Sequence, residues 1–267
     1  MAVINTFRIP YKYGDVIRIK PIADVHMGNN HCDIKAFKKY LDDRDEHTYF
    51  LGLGDLHDSI ITKDIKRYSK EDDATDGSDI IDQQIRMMTA FLKPLADEGR
   101  LIGLADGNHE NAILKYHGTH PTKRQCEALG VPYLGYSGMI RLLLREKTGR
   151  GRKVMIFYHH GYGGGSRTQG ADLTKYSKHA AQYDADIYLY GHVHRKQSDE
   201  ISRLGASGEK WLNRPRHLAI CGTYLRTLSR TTFATYAEIA GYPPTAIGGV
   251  VCNIKPIDRW VKIWIDT

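Results

Sequence analysis

The chain has 267 residues, 41% of them apolar and 10% aromatic, and carries a formal net charge of +7. That length and apolar content predict one folded domain over residues 1–267 with a full core, and they exclude global disorder. The longest uncharged stretch, Ile239 to Ile254, is broken by two prolines and three glycines, which excludes a membrane-spanning helix. The N-terminal Met-Ala-Val-Ile-Asn-Thr-Phe-Arg has no basic region followed by an apolar one, so the expectation is a cytoplasmic protein with no membrane partner.

Taken in chain order, short apolar runs alternate with helical spacing. Val16 to Ala23 predicts a buried strand ending at Asp24, Ile34 to Leu41 a helix, and Tyr49 to Leu53 a strand ending at Gly54-Asp55. Asp79 to Leu95, ahead of Gly99, predicts a helix, Leu101 to Ala105 a strand ending at Asp106-Gly107-Asn108, and Pro121 to Leu129, ahead of Gly130, a helix. Arg141 to Lys153 reads as a basic hairpin with its tip near Thr148-Gly149-Arg150-Gly151. Val154 to Tyr158 then leads to His159, Ala171 to Tyr183 is helical, and Ile187 to Tyr190 leads to Gly191-His192. Leu218 to Cys221, Gly249 to Ile254 and Trp260 to Ile265 predict a β-rich end. Strands alternating with helices imply an α/β fold, with the ligand site beyond the carboxyl ends of the strands. The four cysteines, Cys32, Cys126, Cys221 and Cys252, form no C-x-x-C pair, so buried free thiols are expected rather than a zinc ribbon or a redox dithiol.

Five polar clusters close these strands: Asp24-Val25-His26, Gly54-Asp55-Leu56-His57-Asp58, Gly107-Asn108-His109-Glu110, His159-His160-Gly161 and Gly191-His192-Val193-His194. Residues two apart at the end of a strand point the same way, so each Asp-x-His or His-x-His pair can clasp one cation. A carboxylate such as Asp55 has two oxygens and can bridge two. Mixed Asp, Asn and His donors suit Mn, Fe or Zn rather than Ca. Any one cluster is a weak signal, since a strand-end turn with a solvated imidazole looks the same; five in a fixed order are specific.

Together the clusters follow D-x-H, G-D-x-x-D, G-N-H-E/D, H and G-H-x-H, and over about residues 18 to 195 the chain resembles the calcineurin-like metallophosphoesterases. The resemblance implies a metallophosphoesterase-type β-sandwich of mixed sheets flanked by α-helices, holding two divalent metal ions, Mn first, with Fe, Zn, Ni or Mg as alternatives. It implies Asp24, His26, Asp55 and His194 on one ion, and Asp55, Asn108, a histidine of the His159-His160 pair and His192 on the other. Its first choice in the pair is His159, the residue directly after the strand, while aligning His160-Gly161 on the His-Gly of the protein phosphatases shifts the ligand by one. It also puts His109 beside the leaving-group oxygen and the Asp58 carboxylate on the ring of His109; in its own right, Asp58 also reads as a loop cap.

Two cations sharing Asp55 would lower the pKa of a common water and supply hydroxide for attack on phosphorus. Gly163-Gly164-Gly165-Ser166-Arg167 reads either as a phosphate cradle or as a flexible connection, and Tyr224 as a residue bordering the site. Protein Ser/Thr phosphatases carry Arg where this chain has Ser59 and Asp106, which speaks against that role, and the residues after His194 are too few for the large cap of the repair nucleases. The compact, uncapped look resembles phage and prophage phosphoesterases. The hairpin arginines and lysines, Arg141, Arg145, Lys147, Arg150, Arg152 and Lys153, would track nucleic acid if they stand beside the cleft, and are otherwise a solvated face. The reading is a binuclear-metal phosphodiesterase, nuclease-like, acting on nucleotides or nucleic acid. A phosphomonoesterase is the alternative, and a binding module that has lost catalysis is disfavoured because no ligand of the signature is missing.

Overall fold

Each apolar run that ends in a polar cluster forms a strand, and its carboxyl end stops at or just before that cluster. The computed structural model describes residues 4–267 apart from 66, 148, 150, 167, 169, 230–233, 258 and 259. The chain runs β1 (Asn5–Tyr11), β2 (Ile17–Ile22), α1 (Ile34–Asp42), β3 (Thr48–Leu53), α2 (Ile80–Asp97), β4 (Leu101–Ala105), α3 (Asn108–His117) and α4 (Pro121–Leu129). It continues through β5 (Ser137–Glu146), β6 (Gly151–His159), α5 (Ala171–Gln182), β7 (Ile187–Tyr190), β8 (Lys196–Ile201), β9 (Leu204–Ser207) and β10 (Lys210–Asn213). The last elements are β11 (Arg216–Thr223), α6 (Tyr236–Ile239), β12 (Gly248–Gly249), β13 (Val251–Pro256) and β14 (Val261–Asp266).

Two mixed sheets result. One is five-stranded in the order β14-β13-β2-β3-β4, with β2, β3 and β4 parallel and β13 antiparallel to its neighbours. The other is seven-stranded in the order β1-β5-β6-β7-β11-β12, with β8 also on β11; β6, β7 and β11 are parallel. Their inner faces meet through Ile17, Ile19, Leu51 and Leu53 on one side and Ile140, Leu142, Ile156 and Leu189 on the other. The outer face of the five-stranded sheet is covered by α1, α2 and α4, where Phe37, Leu41, Met88 and Leu92 lie on Ile22, Phe50 and Leu104. Helix α5 covers the other sheet, placing Tyr176 and Ala180 on Phe157, Tyr188 and Leu218. Each such side chain contributes on the order of 1.5–3 kcal/mol when removed from water. The layers are helix, sheet, sheet, helix: the sandwich of mixed sheets flanked by helices that the sequence predicts. The four cysteines are free and buried, and no helix of the described residues is long and apolar enough to cross a membrane.

The predicted hairpin is the β5–β6 pair, and its register decides where its charge lies. Ser137 faces His159 at one end and Arg145 faces Gly151 at the other. The turn therefore stands eight residues from His159, roughly 26 Å at the rise of an extended strand. The basic hairpin does not flank the strand ends, so the nucleic-acid path drawn along it in the sequence reading is corrected; Thr148 and Arg150 of its tip lie outside the described residues.

Candidate metal centre

The loops after β2, β3 and β7 hold their polar residues in an uncommon backbone state. Asp24, His26, Asp55, His192 and His194 have φ of 50°, 53°, 49°, 74° and 53°, and among the described residues only Ser59 and Asp79 join them as non-glycines in that region. An L-residue there costs about 1–2 kcal/mol, and such residues gather where a site over-determines them. The shared direction of Asp24 with His26, and of His192 with His194, thus comes from left-handed turns past the strands, not from the strand alternation expected. Two glycines let the loops touch: a Cβ on Gly107 would overlap Asp55 Oδ1, and one on Gly54 would overlap the Gly107 backbone.

Asp24, His26 and His194 each offer a donor atom within 4.8 Å of one another, as do Asp55, His160 and His192. His26 Nε2 and His194 Nε2 are 3.1 Å apart, and His194 Nε2 is 3.4 Å from Asp24 Oδ1. In the second group His160 Nε2 lies 3.3 Å from Asp55 Oδ2 and 3.0 Å from Asn108 Oδ1, with His192 Nδ1 2.7 Å from the same Asn108 oxygen. In two of the rings the opposite nitrogen faces an outward acceptor: His160 Nδ1 lies 2.8 Å from Leu53 O and His192 Nε2 2.8 Å from Gly163 O, while His26 Nδ1, 3.3 Å from Asp58 Oδ1, makes no hydrogen bond. With the ring protons directed outward, lone pairs point inward toward carboxylate and amide oxygens, which is the donor set of a borderline divalent ion. Asp55 also lies within 4.8 Å of donor atoms of His26 and His109, so the residues present fit a pair of cations with Asp55 between them. The same field favours positive charge: burial opposes the His160 imidazolium, yet Asp55 and Asp24 more than reverse this and raise its pKa to about 10. Burial likewise works to raise Asp55, and the histidines around it, His160 first, hold it well below the usual carboxylate range.

Of the two adjacent histidines, His160 and not the first choice His159 is the one that lies beside Asp55 and Asn108. Along β6, Ile156 and Tyr158 face the interior between the sheets while Phe157 faces α5. Two-residue alternation then sends His159 to the α5 side, among Tyr136, Tyr162, His179 and Tyr190, where its Nδ1 accepts from Gly161 N–H at 2.8 Å. Burial, aided by the neighbouring His179, pushes the His159 pKa down to about 4.

His109 opens α3. Its backbone N–H donates to Asp55 Oδ1 at 3.0 Å, its Nδ1 is 2.5 Å from the backbone carbonyl of Asp58, and its Nε2 lies 3.9 Å from Asp55 Oδ2. The expected partner is thus Asp58, but through its carbonyl; its carboxylate faces His26 and accepts from Asn29 Nδ2 at 3.3 Å. Burial lowers the pKa of His109, and the charges of Asp55 and Asp58 outweigh it, so the net shift is upward. Beneath lies a residue that the motif reading left without a role. Glu110, fully buried, accepts from the backbone N–H groups of Asp55, His57 and Gly107 at 2.9–3.0 Å and lies 3.2 Å from His57 Nδ1. It fixes the Asp55 loop, and its place in Gly-Asn-His-Glu was the only sequence signal for it.

No family model matches this sequence, and no curated protein matches it. Solved structures similar to it include the zinc-complexed Vps29 of Entamoeba histolytica, 13% identical over 94% of this chain and 98% of that one, with a TM-score of 0.37. They also include the calcineurin-like phosphoesterase YfkN of Bacillus subtilis, 11% identical over 94% and 90%, TM-score 0.36. A third is a metallophosphoesterase of Sphaerobacter thermophilus, 12% identical over 94% and 88%, TM-score 0.38. At these identities and TM-scores the likeness carries no argument about this chain, and the placement of individual side chains rests on the distances above.

A cavity of about 860 Å³ opens over both donor groups, and the 163–166 glycine loop forms part of its wall. Arg195 steadies that loop, with Nε 3.2 Å from the buried Asp172 carboxylate, which in turn accepts from Ser166 N–H at 3.0 Å. Arg167 lies outside the described residues. Tyr224 does not border the cavity: it is fully buried against Phe37 and Tyr40, and only its backbone N–H reaches the site, donating to Asp24 O at 3.0 Å.

Proposed function

We propose that this chain is a binuclear-metal-dependent phosphoesterase of calcineurin-like type, acting on phosphodiesters of nucleotides or nucleic acid. The observation that carries the reading is Asp55, whose carboxylate lies within 4.8 Å of donor atoms of His26 and His109 in one group and of His160 and His192 in another. Asp24, His26, Asp55 and His194 would hold one ion, and Asp55, Asn108, His160 and His192 the other. Divalent ions bound there, Mn foremost given the nitrogen and oxygen donors, supply Lewis acidity toward phosphoryl oxygens and acidify water.

The chain's own contribution is proton placement. The Asp58 carbonyl fixes Nδ1–H of His109, which leaves Nε2 as the ring position that faces the cavity and carries the proton when the ring is charged. The charges of Asp55 and Asp58 shift its pKa upward, the direction that favours a ring able to donate to a leaving-group oxygen. Diester rather than monoester chemistry is supported by the cavity's arginines: Arg67 pairs with Asp64 at 2.5 Å and Arg195 with Asp172, so their charge is already partly neutralised, as suits a monoanionic substrate. The test is metal-stripped protein reloaded separately with Mn, Fe, Zn, Ni and Mg, assayed on bis-p-nitrophenyl phosphate and p-nitrophenyl phosphate alongside bound-metal analysis. Two ions per chain with faster diester turnover is the expected result. One ion or none in active protein would sink the binuclear reading, and faster monoester turnover would sink the diester preference.

A further inference from the structure

The cavity has a second wall that holds none of the candidate metal donors. Segment 234–246 forms it and presents Tyr236 and Tyr242, 55% and 57% exposed, beside Pro243 and Pro244. The two rings stand 6.2 Å apart between centroids at 78° to one another. They are carried on an ordered support. Thr235 Oγ1 accepts from Glu238 N–H at 3.0 Å, Glu238 Oε2 accepts from the N–H groups of Thr235 at 2.7 Å and Ser229 at 3.0 Å, and Tyr242 N–H donates to Ala237 O at 2.9 Å. Thr227 Oγ1, 3.1 Å from Thr245 Oγ1, ties the far side of the segment. The backbone that carries the rings is therefore tied down while their surfaces stay open to solvent, which lowers the ordering cost of a site for a planar ligand. Lys196 lines the same cavity and supplies a cationic side chain that suits the phosphate of such a ligand.

We infer that segment 234–246 is a nucleobase-stacking subsite, and that the substrate is a phosphodiester bearing a nucleoside whose base stacks on one of the rings of Tyr236 and Tyr242 and meets the edge of the other. The inference rests on the phosphoesterase reading for the position of the phosphorus, and it narrows the substrate within that reading. A cavity of about 860 Å³ is in the range of small-molecule sites, which selects a mononucleotide or dinucleotide ester, or a single-strand end, over the body of a duplex. Base stacking on an aromatic side chain amounts to about 5- to 100-fold in binding.

The test compares thymidine 5′-(p-nitrophenyl phosphate) with methyl p-nitrophenyl phosphate, two diesters with the same leaving group, on Mn-loaded protein. The wild type is expected to favour the thymidine ester in kcat/KM. That ratio should fall about 5- to 100-fold in the Y236A/Y242A double variant and persist in Y236F/Y242F, because stacking needs the ring and not the hydroxyl. A second readout needs no metal: in chelator, saturation transfer from the protein to thymidine base protons should be seen for the wild type and lost in Y236A/Y242A. A wild-type ratio near one, a ratio that the double alanine variant leaves unchanged, or its loss in the phenylalanine variant would overturn the subsite while methyl ester turnover left the phosphoesterase reading standing. If neither ester is hydrolysed with any of the five metals, the phosphoesterase reading fails, and the thymidine transfer signal alone decides the stacking subsite.

Discussion

The carboxyl ends of β2, β3 and β7 lead into five non-glycine residues in the left-handed region, whereas the hairpin between β5 and β6, at the opposite end of the sandwich, turns on Gly149, where an added Cβ would meet nothing within 4 Å. Glycines differ in the same way. At the site end Gly54 and Gly107 are required because two loops press together; at the hairpin end Gly149, with φ of 87°, is required only by its own backbone. The contrast shows where most of the backbone strain of the described residues lies: it is gathered around Asp55, where the buried Glu110 holds the loop.

Substitutions can break or sharpen this contrast. Asp55→Asn should have the largest effect, because the carboxylate serves both donor groups: bound-metal analysis should show both ions lost and hydrolysis should drop to the chelated background. His160→Ala should remove one ion, lowering its affinity by at least about 100-fold, beyond what outer partners of a ligand contribute; His159→Ala should keep both ions, and the reverse pattern would restore His159 as the ligand. His109→Ala should keep both ions and lose about 10²–10⁴-fold in kcat on alkyl esters, with a smaller loss on p-nitrophenyl esters that need little protonation. Equal losses on both would make His109 a substrate clamp instead of an acid. Gly149→Ala should be the mildest: about 1–2 kcal/mol of stability in a denaturant titration, for the left-handed turn, with metal content and kcat unchanged.

Much of the frame is legible because burial leaves a plain mark in composition. Strands β4 and β7 have the bounds that their apolar runs predict, and α4 begins at Pro121 and stops before Gly130 as its end residues require. Strands β1 and β8 to β10 escape the same reading, since Lys196–Ile201 and Lys210–Asn213 are largely exposed and carry no apolar run. Helix α3 is hidden because it starts within Gly-Asn-His-Glu, at a glycine cap with no side-chain oxygen to announce it. In the candidate site, the residue types and their order are readable, but the choice between His159 and His160 is not. Val154 to Tyr158 is apolar on both faces, so the sequence shows no alternation from which to count, and only the packing of Tyr158 inward and Phe157 outward settles which ring turns toward Asp55.

The candidate donors also come from two sheets that meet late in the chain. His26 and His194, whose Nε2 atoms stand 3.1 Å apart, are separated by 168 residues, and Asp24, Asp55 and Asn108 lie on the loops of one sheet while His160 and His192 lie on those of the other. A cation gripped from both sides is a clasp across the sandwich, closing one of the longest loops the chain contains, where loop closure is entropically costly. During synthesis neither half of the clasp can shut until residue 194 has emerged and the two sheets have docked. Metal binding at the clasp would then come late in folding, and its first appearance would mark the moment at which the two layers come together.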